Sequence, residues 1–146
     1  MANNGERKLF MRKNISIFVV VMKQVGKYLI IPTSNDLVRI APDSIVYLTS
    51  DGNYSTMVQA DGDTRMLSLQ LGQIAKLIAD QLPPADANLF IRIGRSLIIN
   101  RFYIYYINVA KQKLTLSDIR TFNHTVSASK EALRQLKELL EKEIGQ

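Results

Sequence analysis

The sequence predicts a mostly β fold with minor α content, in which antiparallel strands are joined by tight turns. Short runs of β-branched and aromatic residues alternate with groups of turn residues. Two of these groups contain an Asp-Gly pair, at 51–52 and 61–62, which favours a hairpin. Two segments carry apolar residues at helical intervals. With 146 residues, 47% of them hydrophobic, the chain is long enough for one domain with a real core.

The first part of the domain is predicted to contain five strands. The first begins after Lys27 and ends at Pro32, and Pro42 separates the second strand from the third. From Tyr54 onward apolar and polar residues alternate, which indicates a strand with one packed face. The predicted strands are 28–31, 37–40, 45–49, 54–60 and 64–69. We therefore expect residues 27–146 to form the folded domain.

A small helix is predicted in the middle of the chain, at 70–82, and a second at the C-terminus. Pro83 and Pro84 would end the first, and Ser127 or Ser129 would be the N-cap of the second. The apolar stripes that define them are Leu71, Ile74, Ile78 and Leu82 in one, and Leu133, Leu136, Leu140 and Ile144 in the other.

Between the helices the stretch 89–100 places basic residues among apolar runs. The runs would anchor it in the core, so that Gly94, Arg95 and Ser96 form a presented patch. Arginine suits a phosphate or a guanine edge, and serine can donate to a phosphate oxygen. Arg92 fits a structural ion pair or a solvated strand position as well as it fits a ligand contact.

The aromatic run Phe102–Val109 predicts a strand buried on both faces or lying at an interface. Its tyrosines could stack on bases, but core packing is favoured because no glycine or basic residue interrupts the run. Lys111 and Lys113 would then face the same way on the next strand, as candidates for phosphate contact. His124 is predicted to be a hydrogen-bonded packing residue of the last strand rather than a ligand.

Charge is segregated along the chain. The net charge is +6, and residues 92–130 carry seven Lys or Arg against a single acidic residue, Asp118. A basic region of this kind indicates an anionic partner such as nucleic acid, although an acidic membrane or protein surface would also fit. With no Cys and one His, we expect no cofactor, no metal site and no enzymatic constellation.

Residues 1–26 are predicted to be a basic and apolar extension that lies partly or wholly outside the domain. The apolar run Ile15–Met22 is far too short to span a bilayer, and no small-residue cleavage site follows it. Met11 and Met22 are alternative starts. We therefore expect a cytoplasmic protein with no membrane partner.

The spacing R-x-x-R-S-x-x-x-N, formed by Arg92, Arg95, Ser96 and Asn100, has a familiar setting. Two hairpins and a helix precede it, and a strand pair and the helix start VSASKEALRQLK follow. In this order the chain resembles the LytTR family of bacterial DNA-binding domains over roughly residues 27–142. The resemblance implies elongated antiparallel β-sheets and transcription regulation. Family members often carry a receiver domain as well, and because 146 residues leave no room for one, we expect a stand-alone domain.

Through the resemblance we expect the partner to be double-stranded DNA, bound by loops in successive major grooves at direct repeats in promoters, with a second copy of the chain beside it and no small-molecule substrate. The chain departs from the family pattern at two places. Gly94 stands where family members commonly have a His before the Arg-Ser pair, and Ala128 and Ser129 stand where they commonly have an Arg near the start of the last helix. A protein-interaction module with weakened DNA specificity is therefore the alternative. The predicted DNA-contacting residues are Asn53, Tyr54, Arg92, Gly94, Arg95, Ser96, Asn100, Arg101, Lys111, Lys113, Ser127, Ser129 and Lys130.

Overall fold

The computed structural model describes residues 28–145, which form ten strands and three helices together with two short 3-10 turns. The strands are β1 (Leu29–Pro32), β2 (Leu37–Ile40), β3 (Ile45–Asp51), β4 (Tyr54–Gln59), β5 (Thr64–Leu67), β6 (Phe90–Ile93), β7 (Leu97–Asn100), β8 (Ile104–Asn108), β9 (Lys113–Ser117) and β10 (Asn123–Ser127). The helices are α1 (Leu71–Gln81), α2 (Pro84–Ala87) and α3 (Lys130–Ile144), and the 3-10 turns are Pro42–Ser44 and Arg101–Tyr103.

All strand pairings in the described chain are antiparallel, as the sequence predicts. The largest sheet has five strands in the order β5-β4-β3-β7-β6, the second has three in the order β10-β9-β8, and β1 pairs with β2 alone. The five-stranded sheet joins the two halves of the chain, because β7 pairs with β3 across the intervening helices.

The five-stranded sheet is buried on both faces. Leu48 and the residue opposite it on β7, Ile98, face α1 and the β1–β2 hairpin. The next residue of β7, Ile99, faces the opposite way and packs with α3 and the three-stranded sheet. Because side chains alternate along a strand, one sheet supports two cores.

Both predicted helices are confirmed, and one short helix was missed. The first runs over Leu71–Gln81 and the last over Lys130–Ile144. Pro83 and Pro84 do end the first helix, but Pro84 then starts α2 as its first residue. Proline fits this position because its fixed φ is helical and it lacks only an N–H that would have no partner there.

The core packing favoured for Phe102–Val109 is wrong, although a strand does form over Ile104–Asn108. Tyr103 is buried, but Phe102 is 72% exposed and Tyr105 is 60% exposed. The chain first makes the 3-10 turn, and β8 then forms the edge of its sheet with an irregular register at Tyr105. An edge strand with a bulge turns side chains to solvent that a central strand would bury.

The expected extension 1–26, with its apolar run and alternative starts, lies outside the described residues. Within 28–145 no helix is long and apolar enough to cross a membrane.

Candidate nucleic-acid interface

Four connecting segments meet along one edge of the molecule. The N–H of Ser50, at the end of the β3–β4 hairpin, donates to the carbonyl of Ser96 in the β6–β7 turn at 2.9 Å. The N–H of Ala128, just before α3, donates to the carbonyl of Gln112 in the β8–β9 turn at 3.3 Å. A cleft of about 220 Å³, lined by residues 93–97 and by 127–129 and Ala132, separates the β6–β7 turn from the start of α3. Residues far apart in the sequence thus share one surface.

The β6–β7 turn reverses the chain with only three residues, Gly94, Arg95 and Ser96. Gly94 has a φ of +59° and a Cβ placed there would meet nothing within 4 Å. The left-handed backbone therefore favours glycine here, and Arg95 and Ser96 follow it in the turn. Both of these side chains are exposed.

Arg92 lies on the preceding strand and supports this turn. Its Nη2 donates to the carbonyl oxygen of Arg95 at 3.4 Å, and its Nη1 lies 3.5 Å from where a Cβ on Gly72 of α1 would stand. The guanidinium is thus placed between the turn and the first residues of α1.

The β3–β4 turn is held by the start of α1. Gly52 has a φ of +64°, as the Asp-Gly turn predicts, and Asn53 accepts a hydrogen bond on Oδ1 from Nε2 of Gln70 at 3.2 Å. The backbone N–H of Gln70 donates in turn to Oε1 of Gln73 at 2.8 Å, which fixes the helix start. Tyr54 beside it is 48% exposed.

The start of α3 and the β8–β9 turn supply lysines to the same edge. Ser129 is the N-cap, its Oγ accepting from the N–H of Ala132 at 3.1 Å, so one of the two predicted caps is confirmed. Ser127 pairs with Lys113 across β10 and β9. Lys111 lies in the turn, not on the strand as predicted, and its N–H donates to Oδ1 of Asn108 at 2.8 Å.

This arrangement matches a known family. The family model that describes the LytTR DNA-binding domain matches residues 35–141 of this chain. The chain belongs to the LytTR family. Among solved structures it is similar to the LytTR DNA-binding domain of a protein described as a methyl-accepting/DNA response regulator from Bacillus cereus, with a TM-score of 0.52 and 20% identity over 77% of this chain and 95% of that one. No curated protein matches the chain significantly.

The cations of this LytTR edge are not neutralised within the described chain. Residues 28–145 contain three ion pairs, Arg101–Glu143, Arg134–Glu131 and Lys137–Glu141. None of them involves the exposed cations of the edge, Arg95, Lys111, Lys113 and Lys130. Like-charged groups held close together without counter-charges attract an anionic partner.

Asn100 belongs to the core of the LytTR domain, which corrects its prediction as a DNA contact. It is 0% exposed, and its Nδ2 donates to the carbonyls of Ile45 at 3.0 Å and Pro42 at 3.3 Å. Its Oδ1 accepts from the N–H of Phe102 at 3.0 Å. The side chain therefore ties β7 to the start of β3 and cannot reach a ligand.

The structure places Arg101, another predicted DNA contact, away from these turns. It follows the end of β7 that is opposite to the β6–β7 turn, and its Nη1 pairs with Oε1 of Glu143 near the end of α3. The first turn of α3 lies near Gly94, and its last turn lies near Arg101. The length of this helix therefore separates Arg101 from the candidate interface.

His124 packs against aromatic rings as predicted, but the expected hydrogen bond is not formed, because its buried Nε2 has no hydrogen-bond partner among the described residues. Its ring lies 5.7 Å from that of Tyr47 and 5.4 Å from that of Phe122, measured between centroids. No cluster of potential metal ligands occurs among residues 28–145.

The contact of Gln70 with the β3–β4 turn was not predicted from the sequence. Nothing in a sequence signals that the residue before a helix will contact a turn 17 positions earlier.

Proposed function

We propose that this chain is a transcription regulator that binds double-stranded DNA sequence-specifically through the turns of the edge described above. The proposal rests on the meeting of four segments: residues 51–54, 94–96 and 127–130 and the β8–β9 turn. The exposed cations of these segments form no ion pair with a carboxylate of the described chain. Loops on a rigid sheet can enter a major groove and read base edges there.

The proposed roles follow from how each side chain is held. Arg95 and Ser96 are exposed on a short turn whose backbone is fixed, and Arg95 offers a bidentate donor for guanine. Asn53 and Tyr54 would contact the neighbouring groove from the β3–β4 turn. Lys111, Lys113, Ser127 and Lys130 would contact phosphates. The Ser129 oxygen accepts the helix-cap hydrogen bond from Ala132, and its O–H can still donate to a phosphate. Arg92 would act by supporting the turn through its hydrogen bond to the carbonyl of Arg95.

Selection from a random double-stranded DNA library tests the proposal directly. The full chain should enrich a defined motif, and its affinity for that motif should fall with salt at a slope of roughly −3 on logarithmic axes if three or four phosphates are neutralised. Binding without enrichment of any motif would contradict sequence-specific recognition.

The same selection tests the arrangement of two copies on DNA. If two chains bind direct repeats, the enriched fragments should contain the motif twice in the same orientation at a fixed spacing. A single motif, or two in opposite orientations, would contradict direct repeats while leaving sequence-specific binding intact.

A protein-interaction module is the second candidate. It is favoured by Gly94, which offers only backbone in the β6–β7 turn, and by the start of α3, where Ala128 and Ser129 provide no cationic side chain. This function predicts no footprint on any duplex and no enrichment in the DNA selection.

A further inference from the structure

β6 is the outer strand of the five-stranded sheet, and its free side carries hydrogen-bonding groups. The N–H of Arg101 donates to the carbonyl of Leu89 at 2.6 Å. Since bonded and non-bonded pairs alternate along an antiparallel ladder, Ile91 and Ile93 also bond to β7. The backbone N–H and C=O groups of Phe90 and Arg92 then point away from the sheet.

No segment of the described chain forms hydrogen bonds with these backbone groups. Within residues 28–145, the backbones of Phe90 and Arg92 make no hydrogen bond to any segment outside the sheet, and β6 pairs with β7 alone. An open edge of this kind is a template for one more strand.

A cavity lies on each side of the edge. One, of about 220 Å³, lies between β6 and α1 and is mostly apolar, with Ala75, Ile78, Ala79, Ala87 and Phe90 among its lining residues. The other, of about 180 Å³, lies between β6 and α3 and is lined by Ile91, Ile93, Ala132, Leu136 and Leu139 among others. Side chains of a strand alternate between its two faces, so a strand laid along β6 would place apolar residues in both cavities.

Arg92 specifies one residue of that strand. It lines both cavities, is exposed, and lies in none of the ion pairs of residues 28–145. Its guanidinium makes one hydrogen bond among the described residues, from Nη2 to the carbonyl of Arg95 at 3.4 Å, so its other N–H donors are available. A carboxylate on the incoming strand, beside Arg92, would complement this charge.

We propose that β6 is a docking edge for an extended segment of another protein, in which one acidic residue lies beside Arg92 and apolar residues lie beside Phe90, Ile91 and Ile93. In an antiparallel guest this order reads apolar, acidic, apolar, apolar. A second copy of β6 fits less well, because β6 contains no acidic residue to lie beside Arg92. The apolar run Ile15–Met22 of the chain itself contains no acidic residue.

Selection of random peptides displayed on phage against the full chain tests the proposal. The enriched peptides should share the apolar, acidic, apolar, apolar order, and a peptide made to that order should bind Arg92→Glu at least tenfold more weakly than the unaltered chain. Selection against Arg92→Glu should enrich Lys or Arg at the acidic position. Arg65→Glu, on the opposite edge strand β5, is the matched control and should leave binding unchanged.

A second measurement locates the peptide. Hydrogen exchange of the Phe90 and Arg92 amides should slow when it binds, and Ala79→Glu in the α1-side cavity should weaken binding without touching Arg92. Enrichment without acidic residues, or binding unaffected by both variants, would overturn the proposal. So would strong protection of both amides in the free full chain, since a segment of the chain itself would then occupy the edge. DNA affinity is a separate readout: if Arg92→Glu lost only DNA binding, Arg92 would belong to the DNA surface.

Discussion

The backbone N–H of Ser50 donates to the carbonyl of Ser96 at 2.9 Å, and this bond continues the β3–β7 pairing to the edge of the sheet. It fixes the spacing between the β3–β4 and β6–β7 turns, which are more than 40 residues apart in the chain. A ladder hydrogen bond cannot stretch without breaking the sheet, so the two turns would meet a ligand as one rigid unit.

Replacing Arg95 with alanine should weaken DNA binding and relax the sequence preference at one or two base pairs, because a bidentate guanine contact contributes about 1–3 kcal/mol of discrimination. Competition titrations with single-base variants of the selected motif measure this. Arg120→Ala, in the β9–β10 turn at the far end of β9, is the control and should bind normally. An equal loss on every sequence would assign Arg95 to the phosphates.

Lys113→Ala should weaken binding to all sequences alike, because a phosphate contact carries no base information. The slope of log affinity against log salt should become shallower by about 1, which a salt titration of fluorescence anisotropy measures. Lys142→Ala, in the last turn of α3 and away from the edge, should leave the slope unchanged. A change of motif in Lys113→Ala would argue against a phosphate role.

Asn100→Ala should destabilise the fold while leaving the side chains of the proposed DNA-binding turns unchanged. The buried amide makes three hydrogen bonds to backbone groups, and leaving buried partners unpaired costs about 1–3 kcal/mol for each affected group. Urea unfolding measures the free energy, with exposed Asn123→Ala as control. If Asn100→Ala bound DNA more weakly under conditions in which the variant is fully folded, Asn100 would have a direct role in binding.

Asp118 organises the β9–β10 turn and should make stability depend on pH. A hydrogen bond from the Thr121 hydroxyl, followed by backbone N–H groups of residues 120–122, lowers the pKa of Asp118 well below its usual value. Since the folded state favours the charged carboxylate, its contribution is present above the usual aspartate pKa and is lost as the pH falls through the lowered value.

Asp118→Ala should therefore be less stable than the unaltered chain at pH 7, and the difference should shrink in acid. Urea unfolding across a pH series measures it, with Asp80→Ala on the exposed side of α1 as control. A difference that did not change with pH would mean that the carboxylate charge is not involved.

Ile119→Gly should stabilise the protein by roughly 1 kcal/mol. Ile119 has a φ of +73° and is 77% exposed, so the β-branched side chain strains the backbone while burying little surface. Thermal or urea unfolding measures the gain. The same change at Leu139, which has a regular helical backbone, should destabilise α3, and a loss of stability in both variants would contradict the strain at Ile119.

Local patterns in the sequence determined most of the secondary structure of this LytTR domain. The Asp-Gly turn at 51–52 and the apolar intervals of α1 and α3 report on the backbone and on one buried face, and both are short-range properties. The turn residues Gly94, Arg95 and Ser96 were predicted for the same reason, since a short polar stretch between two apolar runs is exposed at a turn.

Only the tertiary structure decided which of those residues share a surface. Arg95 and Arg101 are both arginines and are close together in the sequence, yet they lie at opposite ends of β7. Arg95 therefore lies among the turns of the candidate interface, whereas Arg101 pairs with Glu143. Asn100 looked like a ligand contact because its polar type says nothing of the carbonyls it meets. Burial and proximity depend on strand order and register, which long-range pairing fixes and local sequence does not encode.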